Sequence, residues 1–273
     1  MNILFTGHRG FLGREVIPHL LKTHDVFYPD IDYTNKESVD VFVGQNNIDF
    51  ILHAAIKGGR RVRQDIPDDF YVNMKMFENL AAQKVPMINF CSGAAFGRQK
   101  DIYLAEENQV GGIIPEDYYG FAKSLITQRC RQLDNVYNLR FFNVFGPETP
   151  DNMFTSVNIK NYIAKKEIVI FKDKFMDFFG IEDTKKVIDL YLESKENLPK
   201  DVNLVYETKT KLSDVARIIN NLSEYEVPVS VLEEGMDRSY CGSGELLKTF
   251  GIEFAGLENE IENCYEYFCK RNI

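Results

Sequence analysis

The fold is decided by residues 2–13, which read NILFTGHRGFLG. A short β-rich run over 2–6 leads directly into three glycines spaced G-x-x-G-x-x-G, and a helical pattern begins at residue 11. Glycines at this spacing permit a tight turn and a close backbone approach, and the helix N-terminus offers N–H donors to a pyrophosphate. The stretch therefore predicts a dinucleotide-binding turn. The residues expected to contact the cofactor are Gly7, His8, Arg9, Gly10, Phe11, Leu12 and Gly13.

The first 150 residues alternate predicted strands with predicted helices. The strands fall at 2–6, 25–28, 49–53, 86–91 and 136–142, and the helices at 11–23, 36–45, 66–84 and 117–134. Several of these strands are apolar nearly throughout, which favours a parallel sheet covered by helices on both faces. Strand–helix repetition of this kind predicts an α/β fold with a doubly wound parallel sheet, the Rossmann architecture.

Beyond residue 150 the pattern loosens into shorter, mixed elements. Helices are predicted at 152–166, 181–195, 211–222 and 256–271, strands at 168–171 and 202–206, and turns over 235–245. We expect 1–150 to form the dinucleotide-binding Rossmann domain and 177–206 to return to it. A small C-terminal α/β substrate-binding part is then expected from 151–176 and 207–273.

Composition narrows the possible function classes. The chain has 273 residues and a formal net charge of −9, which argues against a nucleic-acid binder. No apolar run approaches the roughly 20 residues that span a bilayer, and the N-terminus lacks a charged signal-peptide region, so we expect a cytoplasmic protein without a membrane partner. Five cysteines without a C-x-x-C pair and four histidines, all before residue 54, predict free thiols and no metal site.

The choice of cofactor depends on residues near the second strand. An acidic residue about 20 positions beyond the glycines favours NAD, whereas a nearby arginine favours NADP. Asp30 and Asp32 lie at that distance, and Asp32 can also lie under the adenine. Arg9, inside the turn, is well placed for a 2′-phosphate. We therefore favour NADP(H) and leave NAD(H) open.

Tyr119 and Lys123 form the strongest catalytic signal. They stand at i and i+4 of a predicted helix and so share one face. A tyrosine titrates near about 10, and an adjacent ammonium is expected to lower its pKa toward the range of an acid–base catalyst. Ser92 ends the fourth predicted strand, where a side chain points into the ligand crevice of a doubly wound sheet. Ser92 is therefore expected to bind the same substrate oxygen as Tyr119.

The ordered set of motifs resembles the extended short-chain dehydrogenase/reductase family of nucleotide-sugar epimerases, dehydratases and reductases, and the fucose-synthase branch in particular. The motifs are Gly7–Gly10, His53–Ala55 with Gly58–Gly59, Asn73–Met74, Tyr119–Lys123 and Leu139–Pro147. The resemblance implies that Ser92, Tyr119 and Lys123 form the catalytic triad. It also places His53, Ala54, Ala55 and Lys123 at the cofactor and Asn143 at a nucleotide-sugar substrate. A homodimer through the helices at 66–84 and 117–134 is a further implication.

Departures from this branch narrow the implied chemistry. Fucose synthases carry a cysteine two residues after the catalytic serine, where this chain has Ala94, and a later histidine, whereas no histidine follows His53 here. Dehydratases carry an Asp-Glu pair where this chain has Gly93 and Ala94. The resemblance therefore implies 4-keto reduction without C3/C5 epimerisation. A 4-epimerase with retained NAD and a non-catalytic dinucleotide-binding sensor or scaffold remain alternatives.

The substrate side gives weaker signals. The later family motif begins with an arginine for the diphosphate, but Met176 stands there, and Arg238 is one replacement candidate. A basic cluster follows the third strand and indicates either a solvated face or a local anion site. Its members are Lys57, Arg60, Arg61 and Arg63.

Overall fold

The computed structural model describes residues 1–59, 63–194 and 198–271. In chain order the elements are β1 (Asn2–Thr6), α1 (Phe11–Leu20), β2 (Asp25–Phe27), α2 (Lys36–Asn46), β3 (Phe50–His53), α3 (Pro67–Ala81), β4 (Met87–Ser92), β5 (Ile102–Ala105), α4 (Tyr118–Cys130), β6 (Val136–Phe141), β7 (Val144–Phe145), α5 (Phe154–Ile163), β8 (Ile168–Asp173), β9 (Phe179–Gly180), α6 (Ile181–Glu193), β10 (Asp201–Leu204), α7 (Leu212–Asn220), β11 (Val229–Met236), β12 (Tyr240–Gly242), α8 (Glu245–Lys248) and α9 (Gly256–Lys270). A short 3₁₀ helix at Gly93–Phe96 follows β4.

A six-stranded sheet occupies the centre of the molecule, with strands in the order β10-β6-β4-β3-β1-β2 and every pair parallel. Successive side chains of a strand point to opposite faces. Accordingly Ile3 and Phe5 of β1 pack with α1 and α6, whereas Leu4 packs on the other face with α2, α3 and α4. Both faces are covered, which confirms the predicted doubly wound parallel sheet.

A second hydrophobic cluster lies outside the sheet. It is built around Tyr162 of α5, Ile168 of β8, Phe178 just before β9, Ile219 of α7 and Phe268 of α9. Strand β10 pairs with β6, so residues 201–204 lie in the central sheet. Along the ranges that the structure describes, no helix combines the length and apolar character needed to cross a membrane.

Among the described residues, three two-stranded parallel pairs lie outside the pattern predicted by the sequence, one of which joins β7 to β9. Strand β11 pairs with β8, and β12 pairs with β5, so the stretch 235–245 holds a strand as well as turns. Strand β12 has only three residues, and β5 buries its two ends while exposing its centre. Neither gives a period-two pattern, so their pairing depends on contacts between distant parts of the chain.

The strand order places the ligand crevice at β1. Strand β1 lies between β2 and β3, so the order reverses there, and open α/β sheets bind ligands beyond the carboxyl ends of the strands at such a point. Thr6 and His53, which end β1 and β3, are paired across this point. The glycine turn and residues Ala54–Ala55 therefore leave the sheet side by side.

Candidate active site

The glycine turn is held tightly against the end of β3. Gly7 has φ of +78°, and a Cβ there would lie 2.7 Å from Ala54 C and from Ala55 N. Gly10 stands at the N-cap of α1 and has no side chain to cover the first N–H groups of the helix. Backbone approach without side-chain cover is what a pyrophosphate requires. The turn therefore fits a dinucleotide.

Charged side chains gather at the rim of this turn. Arg9 forms a salt bridge with Asp30, and His8 Nε2 lies 3.6 Å from the same carboxylate. Asp32 instead accepts hydrogen bonds from Thr34 N (2.9 Å) and Thr34 Oγ1 (2.7 Å), which lower its pKa. Of the two predicted acidic residues, Asp30 is thus the one that lies beside the turn.

His53 is buried beneath the crevice as a neutral side chain. Burial, with a smaller contribution from Lys123, lowers its pKa to about 3. Its Nδ1 lies 2.8 Å from Thr6 Oγ1, which also accepts a hydrogen bond from Ala55 N at 3.1 Å. The network fixes the start of the segment that follows β3.

Ser92, Tyr119 and Lys123 converge at the end of β4. Ser92 Oγ accepts from Ala94 N at 3.2 Å and so starts the 3₁₀ helix. Tyr119 lies in the first turn of α4, close enough to Ser92 for that side chain to influence its pKa. Lys123 is buried, and its Nζ lies 5.8 Å from the centroid of the Tyr119 ring. The structure thus brings the three predicted catalytic side chains together.

The electrostatics of Tyr119 differ from the expectation that Lys123 lowers its pKa. Burial raises the pKa of Tyr119 above that of an ordinary phenol, while the Ser92 side chain and the Arg98 charge oppose that rise. The Lys123 ammonium is turned toward the sheet, where it donates to Phe90 O at 2.7 Å. Burial in turn lowers the pKa of Lys123. Within the described residues this is the one hydrogen bond of an ammonium with three donors, so donors remain for a ligand.

Gly59 forms the wall behind Tyr119. It has φ of +71°, and a Cβ there would lie 2.9 Å from the Tyr119 ring. Asn73 anchors the same segment, because its side chain accepts from Lys57 N (2.8 Å) and donates to Lys57 O (2.7 Å). The segment that contains Gly58 and Gly59, anchored by Asn73, thus packs against Tyr119.

Two residues that lie beside the predicted catalytic side chains, Arg98 and Tyr240, are not identified from the sequence. Arg98 Cζ lies 5.9 Å from the centroid of the Tyr119 ring, and its guanidinium pairs with Asp117 at 2.8 Å. The Tyr240 hydroxyl lies 3.4 Å from Ser92 Oγ. A charged residue directly after Gly97 is a local signal by which the sequence could have identified Arg98. No local sequence signal indicates that Tyr240 lies beside Ser92.

The predicted substrate residues lie at different places. Asn143 is buried just beyond β6, and its carbonyl accepts from Phe179 N at 2.8 Å. Arg238 is exposed and donates to Gln99 O at 2.7 Å, on the loop after the 3₁₀ helix. Met176 is buried and bridges to Tyr240, and the adjacent Asp177 forms a buried ion pair with Lys209 at 2.9 Å. The structure does not bring Asn143 and Arg238 together in a hydrogen-bonded group.

The structure describes two of the four residues of the predicted basic cluster. Lys57 pairs with Asp68, and Arg63 donates to both carboxylate oxygens of Asp69 at 2.8 Å. The remaining two members lie outside the described residues and are Arg60 and Arg61. Both described cations are therefore paired with acidic side chains of α3.

The chain belongs to the NAD dependent epimerase/dehydratase family, whose model matches residues 3–205. It is therefore an enzyme of that family, which confirms the predicted resemblance to extended short-chain dehydrogenases/reductases.

Individual relatives are distant. The chain is 23% identical to a GDP-L-fucose synthase from Azorhizobium caulinodans over 310 residues, covering 99% of this chain and 97% of that protein. It is 24% identical to an uncharacterised UDP-glucose epimerase from Bacillus subtilis over 264 residues, covering 82% of each. Among solved structures, it shares its fold with a GDP-mannoheptose C4 reductase from Campylobacter jejuni with NADP bound (TM-score 0.80, 15% identity, 98% of each chain covered).

Proposed function

We propose that the protein is an NAD(P)-dependent reductase of a nucleotide sugar, acting on the keto group at sugar C4 without epimerisation at C3 or C5. The observation that carries this proposal is the convergence of Ser92, Tyr119 and Lys123 at the crevice, beside a buried alanine at position 94. A methyl side chain has no proton to exchange with C3 or C5. The retained groups support chemistry at one oxygen only.

In this mechanism the chain's own residues bind the sugar and move one proton. Ser92 and Tyr119 both hydrogen bond to the C4 oxygen, and Tyr119 donates its phenolic proton as negative charge develops there. Lys123 directs its remaining donors to the nicotinamide ribose, and the glycine turn holds the pyrophosphate. Bound nicotinamide supplies the hydride.

We favour NADP(H) as the cofactor because Arg9 extends from the turn with its side chain 76% exposed, so that a 2′-phosphate can replace Asp30 as the partner of its guanidinium. The adjacent Asp30 is suited to a ribose 2′-hydroxyl and so keeps NAD(H) as the alternative. Arg9 and Asp30, the residues that favour NADP(H) and NAD(H) respectively, thus lie together at the rim of the glycine turn.

The competing function is 4-epimerisation with a retained NAD, which the name of the Bacillus subtilis relative favours. The two functions are separated by incubating the purified protein with NADPH and 4-keto sugars carried by GDP, UDP, CDP or dTDP. A reductase consumes NADPH in equal amount with the sugar, measured at 340 nm. Interconversion of 4-hydroxy sugars without net nicotinamide consumption would establish the epimerase instead. A protein that binds the dinucleotide but turns over neither class would support the sensor alternative.

A homodimer through α3 and α4 accompanies this proposal. Phe77 and Ile126 are buried in the core and are not accessible to a partner. Apolar surface remains exposed on or beside these helices at Ile66, Tyr71 and Tyr118. Light scattering behind size-exclusion chromatography tests it: Tyr71→Glu should lower the mass from two chains to one. An unchanged single-chain mass for the unaltered protein would refute it.

A further inference from the structure

Tyr240 reaches the catalytic serine from a distant part of the chain. Its hydroxyl oxygen lies 3.4 Å from Ser92 Oγ, although 148 positions separate the two residues. Both side chains are half-buried, so the contact is partly shielded from solvent. The Tyr240 ring packs edge-on against Phe142, with ring centroids 5.1 Å apart.

The backbone around Tyr240 is held on both sides. Tyr240 N donates to Phe175 O at 2.8 Å, and Tyr240 O accepts from Asp177 N at 3.1 Å. On the other side Tyr240 is in register with Ile102 of β5. A side chain carried by a paired strand is placed more accurately than one on a free loop. The hydroxyl therefore lies at Ser92 because the strands put it there.

Hydrogen-bond accounting at Ser92 gives Tyr240 a role. A serine hydroxyl has one donor and two acceptor sites, and Ala94 N occupies one acceptor site at 3.2 Å. The geometry of the Ser92–Tyr240 contact allows either hydroxyl to donate. Because a phenol is a better donor than an aliphatic alcohol, we take Tyr240 as the donor that fills the second acceptor site. The Ser92 proton then has to point away from both, toward Tyr119 and the substrate oxygen.

We propose that Tyr240 is a positioning residue of the reaction, which donates to Ser92 Oγ and thereby aims the Ser92 proton at the C4 oxygen. This inference rests on the proposed function at C4. The 3.4 Å separation is longer than the usual value of about 2.7–2.8 Å, and catalytic hydrogen bonds commonly shorten when substrate binds. Burial raises the pKa of Tyr240 to about 12, so its hydroxyl remains a donor over the working pH range.

A double-mutant cycle tests the coupling between Tyr240 and Ser92. With the reductase assay, Tyr240→Phe should lower kcat about tenfold and Ser92→Ala about 100-fold, with the KM for NADPH unchanged in both. Because Tyr240 acts through Ser92, the double variant should be no slower than Ser92→Ala. A double variant whose kcat falls by the product of the two single decreases would overturn the proposal. A Tyr240→Phe enzyme with full kcat would overturn it as well. Tyr103→Phe, on the neighbouring strand β5, is the matched control and should keep full kcat.

A second measurement needs no turnover and separates this inference from the proposed function. In protein labelled with ¹³C at tyrosine Cζ, the signal that disappears in Tyr240→Phe identifies Tyr240. That signal should move in Ser92→Ala but not in Ser156→Ala, a substitution of another buried serine. An unmoved signal would overturn the positioning role even if the enzyme reduces sugars. A moved signal in a protein without any reductase activity would leave the contact established and remove the proposed function instead.

Discussion

Tyr119 is the single residue on which the proposed reaction depends most. Tyr119→Phe removes the proton donor but keeps the ring that packs against Gly59, so kcat should fall by a factor of about 10²–10⁴. The Kd for NADPH, measured by fluorescence titration, should not change. Tyr118→Phe is the matched control, because Tyr118 is adjacent but exposed. Equal kcat in the two variants would exclude Tyr119 as the acid.

The pH dependence of turnover follows from the same residue. Burial raises the pKa of Tyr119 above about 10, the ordinary value for tyrosine, so the phenol stays protonated throughout the neutral range. Reduction, which needs the protonated form, should therefore have a level kcat from pH 6 to about 9. Oxidation of the product alcohol, which needs the phenolate, should accelerate with pH over that interval. An apparent pKa near 7 for reduction that persists in Tyr240→Phe would contradict this assignment.

Arg9 and Asp30 should set the cofactor preference in opposite directions. Arg9→Gln removes the cation proposed to bind a 2′-phosphate and should raise the KM for NADPH about tenfold, with a smaller change for NADH. Asp30→Asn removes the anion that pairs with Arg9 and should shift the preference toward NADPH. Asp32→Asn is the control, since Asp32 is occupied by Thr34. Initial rates with NADPH and with NADH give the cofactor preference of each of the three variants. A preference that changes only in Asp32→Asn would refute the assignment.

At the scale of elements, α6 and α9 satisfy each other's N-termini. Glu260 of α9 accepts from Asp183 N at 2.8 Å, in the first turn of α6. Asp183 accepts from Ala255 N (2.8 Å) and Gly256 N (3.0 Å), where α9 begins. Two side-chain carboxyl groups thus accept from the free N–H groups of two helices, which joins the second hydrophobic cluster to the helix covering the sheet.

This pair makes stability depend on pH. Burial raises the pKa of Glu260 from its ordinary value to about 7. Between about pH 5 and 7 the carboxyl group of Glu260 is ionised in the unfolded chain but keeps its proton in the folded chain. Rising pH therefore stabilises the unfolded state relative to the folded state, and the free energy of unfolding falls. Between pH 5 and 8 the native chain should lose about 2–3 kcal/mol relative to Glu260→Gln. Urea unfolding at both pH values measures the difference, and parallel losses in the two proteins would contradict it.

The elements also show which features sequence alone can predict. Strands β1, β3 and β4 are buried on both faces and bounded by turns, and the glycine turn has a fixed spacing, so pattern suffices for them. The same spacing argument finds Tyr119 and Lys123 but not the direction of the Lys123 ammonium, which depends on the carbonyl of Phe90. Strand β12 and Tyr240 leave no local signal, because their position is set by β5 and by residues 175–177. Predictable features are therefore those whose cause lies within one element.

At the scale of the whole molecule, a buried polar network joins three neighbouring strands. Arg140 of β6 is fully buried and contacts Asp201 of β10 at 2.5 Å and Asn203 at 2.8 Å. Asn138 donates to Asp201 at 2.8 Å and accepts from Asn89 of β4 at 2.7 Å. The later strand β10 is thus attached to the first part of the sheet by charge as well as by its backbone ladder.

Breaking this network should cost more than breaking an exposed ion pair. Asp201→Asn leaves the Arg140 charge buried with neutral partners, and the free energy of unfolding should fall by about 3 kcal/mol. Asp189→Asn, which removes the partly exposed pair with His19, should cost less than about 1 kcal/mol. Urea unfolding at one pH compares them, with the Kd for NADPH as a check that the crevice is intact. Similar losses in the two variants would show that the buried network contributes little.

The pairing of β12 with β5 also has a consequence for the protein during its synthesis. The glycine turn, Ser92, Tyr119 and Lys123 all leave the ribosome before any residue of β12, and N-terminal regions generally fold first. All residues proposed to contact the cofactor are therefore synthesised early, whereas Tyr240, the partner of Ser92, is synthesised only after every strand of the central sheet. We therefore expect a nascent chain to bind a dinucleotide before the contact between Tyr240 and Ser92 has formed. Premature termination between the two events should yield a product that sequesters cofactor without turning over sugar.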